Sequence, residues 1–158
     1  MKIKNLDHIA ITVPDIDEAT NFFKKAFEGK IVVEGLTKKD SPLKGKEAEI
    51  RFGMPTGGAV VARRVIKISN SFNIELFSFE GTDHQRAAHT YDYGLQHIAV
   101  YVDDLQEAAN DFLNAGGKLY QSNEFVRAVK AGVAPRYGWL YGETPWGTVI
   151  EMVTFKEA

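Results

Sequence analysis

The chain contains no cysteine. That absence excludes a disulfide scaffold, thiolate zinc and iron–sulfur sites, and any cysteine nucleophile. An excess of charge of one sign is also missing: 19 Lys and Arg stand against 21 Asp and Glu, for a formal charge of −2. A chain so balanced lacks the basic surface that holds nucleic acid or an anionic membrane, and neither is expected as a partner. No apolar run approaches the roughly 18 residues that span a bilayer. The opening MKIKNLDHIAITV reads as a strand and not as a signal sequence, so a cytoplasmic location is expected. No Pro-, Gly- or Ser-rich linker and no low-complexity stretch interrupts the 158 residues. Aromatic residues, in contrast, are plentiful. Ten Phe, six Tyr and two Trp supply ample surface to bury, which excludes a disordered chain.

What is present is a repeat. LDHIAITVPDIDEA at 6–19 matches LQHIAVYVDDLQEA at 95–108, so that His8 falls on His97, Asp15 on Asp104, Glu18 on Glu107 and Phe23 on Phe112. NIELFSF at 73–79 matches the end of TVIEMVTF at 148–155, with Glu75 on Glu151. The two offsets, 89 and 76, leave about 13 extra residues in the first half, and the Lys-, Gly- and Pro-rich stretch 37–46 is where much of that surplus is expected. Each half opens with an alternating strand, at 6–13 and at 97–102, followed by an amphipathic helix. Asp15 with Glu18, and Asp104 with Glu107, have the spacing of a helix N-cap and its third residue. Further strands are predicted at 30–36, 47–53, 59–68 and 72–79, and again at 118–121, 124–130, 137–142 and 148–155. Ser69-Asn70-Ser71 and Thr144-Pro145-Trp146-Gly147 read as turns, and a short helix is predicted near 83–89. The expected fold is α+β: two tandem βαβββ modules, 1–80 and 95–158, joined by a linker at 81–94.

Strand alternation decides where the polar side chains point. Ile9, Ile11 and Val13 face the helix of the first module, and Ile98, Val100 and Val102 that of the second. His8 and His97 then point to the opposite side of their sheets. Glu75 shares a face with Phe77 and Phe79, and Glu151 with Val149, Val153 and Phe155. Carboxylates among apolar side chains are costly unless paired, because desolvating an isolated charge costs, in idealised form, tens of kcal/mol. A divalent cation suits two imidazoles and two carboxylates, and two Glu would neutralise it. The repeat thus nominates His8, Glu75, His97 and Glu151 as one metal site. Each alone has a plainer reading, a hydrogen-bonded structural His or an edge Glu, but the recurrence of both types at matched positions favours the site.

DHIAITVPDIDEA, NIELF, LQHIAVYVDDL and TPWGTVIEM together resemble the vicinal oxygen chelate superfamily over nearly the whole chain, roughly residues 5–156. That group includes glyoxalase I, methylmalonyl-CoA epimerase, extradiol dioxygenases, fosfomycin-resistance enzymes and bleomycin-binding proteins. The resemblance implies that the modules' curled mixed sheets form an open barrel around the metal, within one chain or across a dimer by module exchange; a homodimer is expected in both cases, since paired curved sheets leave apolar edges. It carries the metal positions onto His8, Glu75, His97 and Glu151. That His/Glu/His/Glu set resembles the bacterial glyoxalase I and epimerase branches, which implies nickel, cobalt, zinc or manganese. The activity implied is that of a metal-dependent lyase or isomerase acting on a small molecule with vicinal oxygens. A proton next to a carbonyl moves through a metal-stabilised enediolate, with Glu151 favoured as base and Glu75 the alternative.

Two other activities fit the same group. An iron(II) extradiol dioxygenase would use His8, His97 and Glu151 and leave Glu75 surplus. A non-catalytic binding protein for an antibiotic or other small molecule would lack the metal ligands that are all present here. Glyoxalase I proper has an Arg soon after its first ligand for the glutathione carboxylate; here the stretch is Ala10-Ile11-Thr12-Val13, so glutathione is not implied. For substrate binding, Arg64 on an apolar strand face and Tyr101 on the face of His97 are the candidates. Trp139, Tyr141 and Trp146 read as packing, and His84 and His89 as solvated linker residues.

Overall fold

The computed structural model describes residues 6–69 and 72–155. Two compact units result, one of Met1–Lys24 with Glu28–His84 and the other of Lys25–Phe27 with Gln85–Ala158.

The first unit runs β1 (His8–Thr12), α1 (Ile16–Phe27), β2 (Lys30–Glu34), β3 (Leu43–Lys44), α2 (Lys46–Phe52), β4 (Ala59–Ser69) and β5 (Phe72–Glu80). Its mixed sheet has the order β1-β5-β4-β2, with β3 added to β4; β1 and β5 are parallel and the other pairs antiparallel. Helix α1 starts where the sequence says it should. Asp15 is extended, and its Oδ1 accepts from the backbone N–H of Asp17 at 2.8 Å and of Glu18 at 3.0 Å. Val13, Ile16, Ala19 and Phe23 are buried, as are Ala62, Ile66, Ile74 and Leu76 of β4 and β5. Arg64, also buried, donates from β4 to the Thr20 hydroxyl at 2.7 Å and to Asp17 at 3.1 Å, which fastens α1 over this side of the sheet.

The Asp15 cap has a second anchor. Lys38, from the insertion between β2 and α2, reaches Asp15 at 2.7 Å and Asp17 at 3.0 Å. The hydrogen bond from Lys38 is the leading reason that both carboxyls sit below their ordinary value of 3.8. A carboxyl lowered by folding stabilises the fold fully above its unfolded value and loses that contribution as pH falls through the folded one. Thermal unfolding should therefore show a loss of stability below about pH 4 that Asp15→Asn blunts, because the amide still caps the helix but cannot titrate. Asp15→Ala should cost about 1 kcal/mol at neutral pH. An unchanged pH profile in Asp15→Asn would exclude this cap as a source of acid sensitivity.

The second unit repeats the plan with β6 (Ile98–Tyr101), α3 (Leu105–Asn114), β7 (Lys118–Leu119), α4 (Asn123–Lys130), β8 (Gly138–Glu143) and β9 (Val149–Thr154). Its order, β6-β9-β8-β7, is that of the first sheet strand for strand, again with one parallel pair, β6 and β9. Asp104 caps α3 through the N–H of Glu107 at 3.1 Å. Beyond α3 the chain turns through Gly116, at φ 101°, into Gly117. A Cβ on Gly117 would lie 2.2 Å from the Phe112 ring and one on Gly142 2.6 Å from it, so both glycines make room for that buried ring. The Thr144–Gly147 turn forms as expected, with the Gly147 N–H donating to Thr144 O at 2.9 Å.

Three expectations need correction. The segment expected as strand 47–53 is helix α2, and that expected as strand 124–130 is helix α4. Both are rich in Glu, Lys, Arg and Ala, which favour helix. Arg51 and Glu47 pair at 2.6 Å one turn apart, and Ser122 caps α4 through the Phe125 N–H at 3.2 Å. The short helix expected near 83–89 does not form; that segment is irregular. Asn70 and Ser71 of the expected Ser69–Ser71 turn lie outside the described residues. Among the described residues, no helix is long and apolar enough to cross a membrane.

Candidate metal centre

Strand register sets the first half of the site. Ala10 pairs with Glu75 and His8 with Asn73 in the parallel β1–β5 ladder, so His8, Ala10, Glu75 and Phe77 share one face. His8 Nε2 lies 3.1 Å from Glu75 Oε2. On its other side the His8 ring donates Nδ1–H to Asp7 Oδ2 at 2.6 Å. The second unit makes the same arrangement. Ala99 pairs with Glu151 in the β6–β9 ladder. His97, immediately before β6, places Nε2 3.0 Å from Glu151 Oε2, and its Nδ1 faces Gln96 Oε1 at 2.6 Å. Tyr141 packs edge-on against the His97 ring, with 5.2 Å between centroids.

These tethers give the donor set its chemistry. With Nδ1–H given to an acceptor, a neutral imidazole turns a lone pair at Nε2 toward the Glu oxygen. Two acceptors 3 Å apart call for a positive species between or beside them, a proton or a metal ion. A metal-bound His characteristically gives its other N–H to a carboxylate or carbonyl, the place filled here by Asp7 and Gln96. The residues therefore fit a divalent cation. The structure brings His8 to Glu75 and His97 to Glu151; among the described residues no three His, Asp or Glu form a metal-binding group.

Charge compensation, however, differs from the expectation. Glu75 is buried, yet Arg63 of β4 donates Nε to its Oε1 at 2.5 Å and adds a second contact from Nη2 to the same oxygen. Glu75 therefore has a cationic partner within its own module. Glu151, with 17% of its side chain exposed, has His97 as its partner. Neither carboxylate is both buried and unpaired: Glu75 is buried but held by Arg63, and Glu151 is part-exposed and faces His97.

Arg64 does not have the surroundings expected of a substrate-binding residue. Its cross-strand neighbour is Leu76, on the α1 side of the sheet, whereas Glu75 faces the other side. The guanidinium is committed to Glu34 Oε1, at 2.9 Å from Nε and 2.7 Å from Nη2, as well as to Asp17 and Thr20. Burial opposes its charge, but Glu34 and Asp17 outweigh that and raise its pKa. Tyr101 lies on the face of Glu151, 81% exposed, its ring edge-on to Phe155 at 6.1 Å. Trp139, read as packing, is 60% exposed and stands edge-on to Tyr141 at 5.7 Å. Arg63 was not anticipated. The signal that could have found it is its parity on β4: it stands opposite Phe77, and Phe77 shares the face of Glu75.

The sequence pattern of the Glyoxalase/Bleomycin resistance protein/Dioxygenase superfamily matches residues 5–152, and the chain belongs to that superfamily. A 2-epi-5-epi-valiolone epimerase of Actinomyces sp. is 27% identical over 160 residues, covering 92% of this chain and 76% of the epimerase. A glyoxalase family protein from Bacillus cereus has the same fold at a TM-score of 0.70 and 18% identity, over 96% of this chain and 94% of its own. A fosfomycin resistance protein, FosX, from Listeria monocytogenes, solved with Mn(II) and sulfate, superposes at a TM-score of 0.57 and 15% identity, over 98% and 95% of the two chains. Both likenesses establish the α+β fold of two βαβββ-type modules with mixed sheets.

Proposed function

We propose that the protein is a metal-dependent isomerase that moves a proton on the carbon next to a carbonyl, with an epimerase as the most specific form of this reading. The observation that carries it is the duplicated pairing: a His Nε2 set 3.0–3.1 Å from a Glu Oε2, with the ring held from behind, once in each module. The epimerase relative supports an isomerase outcome over oxygen insertion. His8, Glu75, His97 and Glu151 would hold one divalent cation, of manganese, nickel, cobalt or zinc. When bound, such a cation supplies Lewis acidity toward a substrate with two vicinal oxygens.

The side chains have separate tasks. Asp7 and Gln96 orient His8 and His97 so that Nε2 faces the site. Arg63 fixes one oxygen of Glu75. The Glu151 carboxylate takes the proton from one face of the substrate carbon; an epimerisation is completed by a proton delivered to the opposite face from solvent or a second acid. Trp139 and Tyr101, exposed beside this carboxylate's strand, offer apolar surface to the substrate's carbon skeleton.

Incubation with cyclic and open-chain hydroxyketones in deuterated water, with each metal in turn, should exchange the hydrogen next to the carbonyl, read by proton NMR. Oxygen consumption with catechols and iron(II), and no exchange with any ketone, would replace this reading with the dioxygenase one.

A further inference from the structure

The two modules agree in strand order, helix caps and His–Glu pairing, so a place where they differ inside the site carries information. That place is on the third strand inward. Arg63 stands opposite Phe77, two residues beyond Glu75, and Trp139 stands opposite Val153, two residues beyond Glu151. Module one therefore has a guanidinium where module two has an indole. Both Arg63 donors, Nε and Nη2, go to Glu75 Oε1, while Oε2 is the oxygen turned to His8 Nε2. A cation taken up between His8 Nε2 and Glu75 Oε2 would leave the Arg63 contacts unbroken. Among the described residues, no Lys or Arg pairs with Glu151, whose partner is His97.

The backbone of Arg63 is hydrogen-bonded to the two residues that follow β2. Its N–H donates to Leu36 O at 2.8 Å, and its carbonyl accepts from Gly35 N–H at 3.1 Å. A Cβ on Gly35 would lie 3.0 Å from the Arg63 carbonyl oxygen and 3.1 Å from Nη1. The stretch after β2 thus lies directly along Arg63, with a glycine at the closest approach.

Resting on the metal-dependent reading above, we propose that Arg63 is a positioning residue: it locks Glu75 as a stationary ligand through Oε1 and so leaves Glu151 as the carboxylate free to move and carry the proton. The repeat supplies two equivalent Glu, and Arg63, standing where module two has Trp139, makes them unequal. Arg63 touches no substrate in this account; it acts through Glu75.

The test is a double-mutant cycle on metal affinity, by calorimetric titration of the metal-free full chain with Mn²⁺. Arg63→Gln should weaken binding about 10–100-fold, as loss of a partner behind a metal ligand does. In a Glu75→Gln background it should add no further loss, and in a Glu151→Gln background it should keep its whole effect. Arg63→Lys, which restores charge without the two-donor fork, should recover part of the affinity. Equal effects in both backgrounds, or none in either, would overturn the proposal. A merely structural Arg63 would lower the unfolding temperature of the metal-free protein and show no preference between the two Glu backgrounds. If Arg63→Gln fails to fold, Arg63→Lys read in the same two backgrounds gives the same discrimination at smaller amplitude. Wild-type protein that takes up no Mn²⁺, Ni²⁺, Co²⁺ or Zn²⁺ would overturn the metal reading and this inference with it. Wild-type uptake with Arg63→Gln unaffected would overturn this inference alone.

Discussion

Replacing Glu151 by Gln should abolish hydrogen exchange next to the carbonyl of a turned-over substrate, with a loss of about 10²–10⁴-fold, the range a positioned general base contributes. Glutamine keeps the volume and one acceptor oxygen, so the half-buried position on β9 between buried Ile150 and Met152 is undisturbed and the fold survives. What is lost is the atom that accepts the proton. The companion change, Glu75→Gln, should act differently. Glu75 is bound by Arg63 and turned to His8, so its loss should appear chiefly in metal affinity, and added metal should restore much of the exchange. Exchange retained in Glu151→Gln and lost irreversibly in Glu75→Gln would reverse the assignment of base and ligand.

The parts of this site that could be read from the amino acids are those governed by short periods. Alternation placed His8 and His97 away from the helices, and the ladders confirm it, with Ala10 opposite Glu75 and Ala99 opposite Glu151. Capping was equally local: Asp15 and Asp104 each bind the N–H three residues on. The parts that were not legible depend on which face of a strand is covered by something distant in sequence. Arg63 and Arg64 are neighbours of one residue type, and alternation puts them on opposite faces without saying which face is covered. Arg64 shares the covered face with Ala62 and Ile66, under α1, whereas Arg63 takes the open one. An apolar strand face with one Arg looked like a ligand surface; Glu34 and Asp17, supplied by β2 and α1, make it a buried ion-pair network instead. Helices α2 and α4 stand where strands are expected for a related reason. Each is eight residues or fewer, too short for a helical period to stand out from alternation.

Charge balance, too, depends on partners distant in sequence. Two Glu and two His on one divalent cation would be a neutral set, but Arg63 adds a positive charge beside Glu75. With both Arg63 and the Asp7 carboxylate behind His8 included, a set holding a divalent cation would again be neutral. Arg63 also makes the modules unequal, since Glu75 has a guanidinium beside it and, among the described residues, Glu151 has none.

The claim on which all of this depends is that the His–Glu pair of one module and that of the other serve a single divalent cation. Metal-free protein titrated with Ni²⁺, Zn²⁺ and Mn²⁺, with stoichiometry and affinity read together, tests it most directly. Structural zinc sites of four ligands bind with about 10–16 kcal/mol, so one ligand in four is worth roughly 3 kcal/mol, or about 100-fold. The account predicts one cation per chain, and a loss of about that size in each of His8→Ala, Glu75→Ala, His97→Ala and Glu151→Ala. Two independent sites per chain, or one site that variants in only one module weaken, would contradict it.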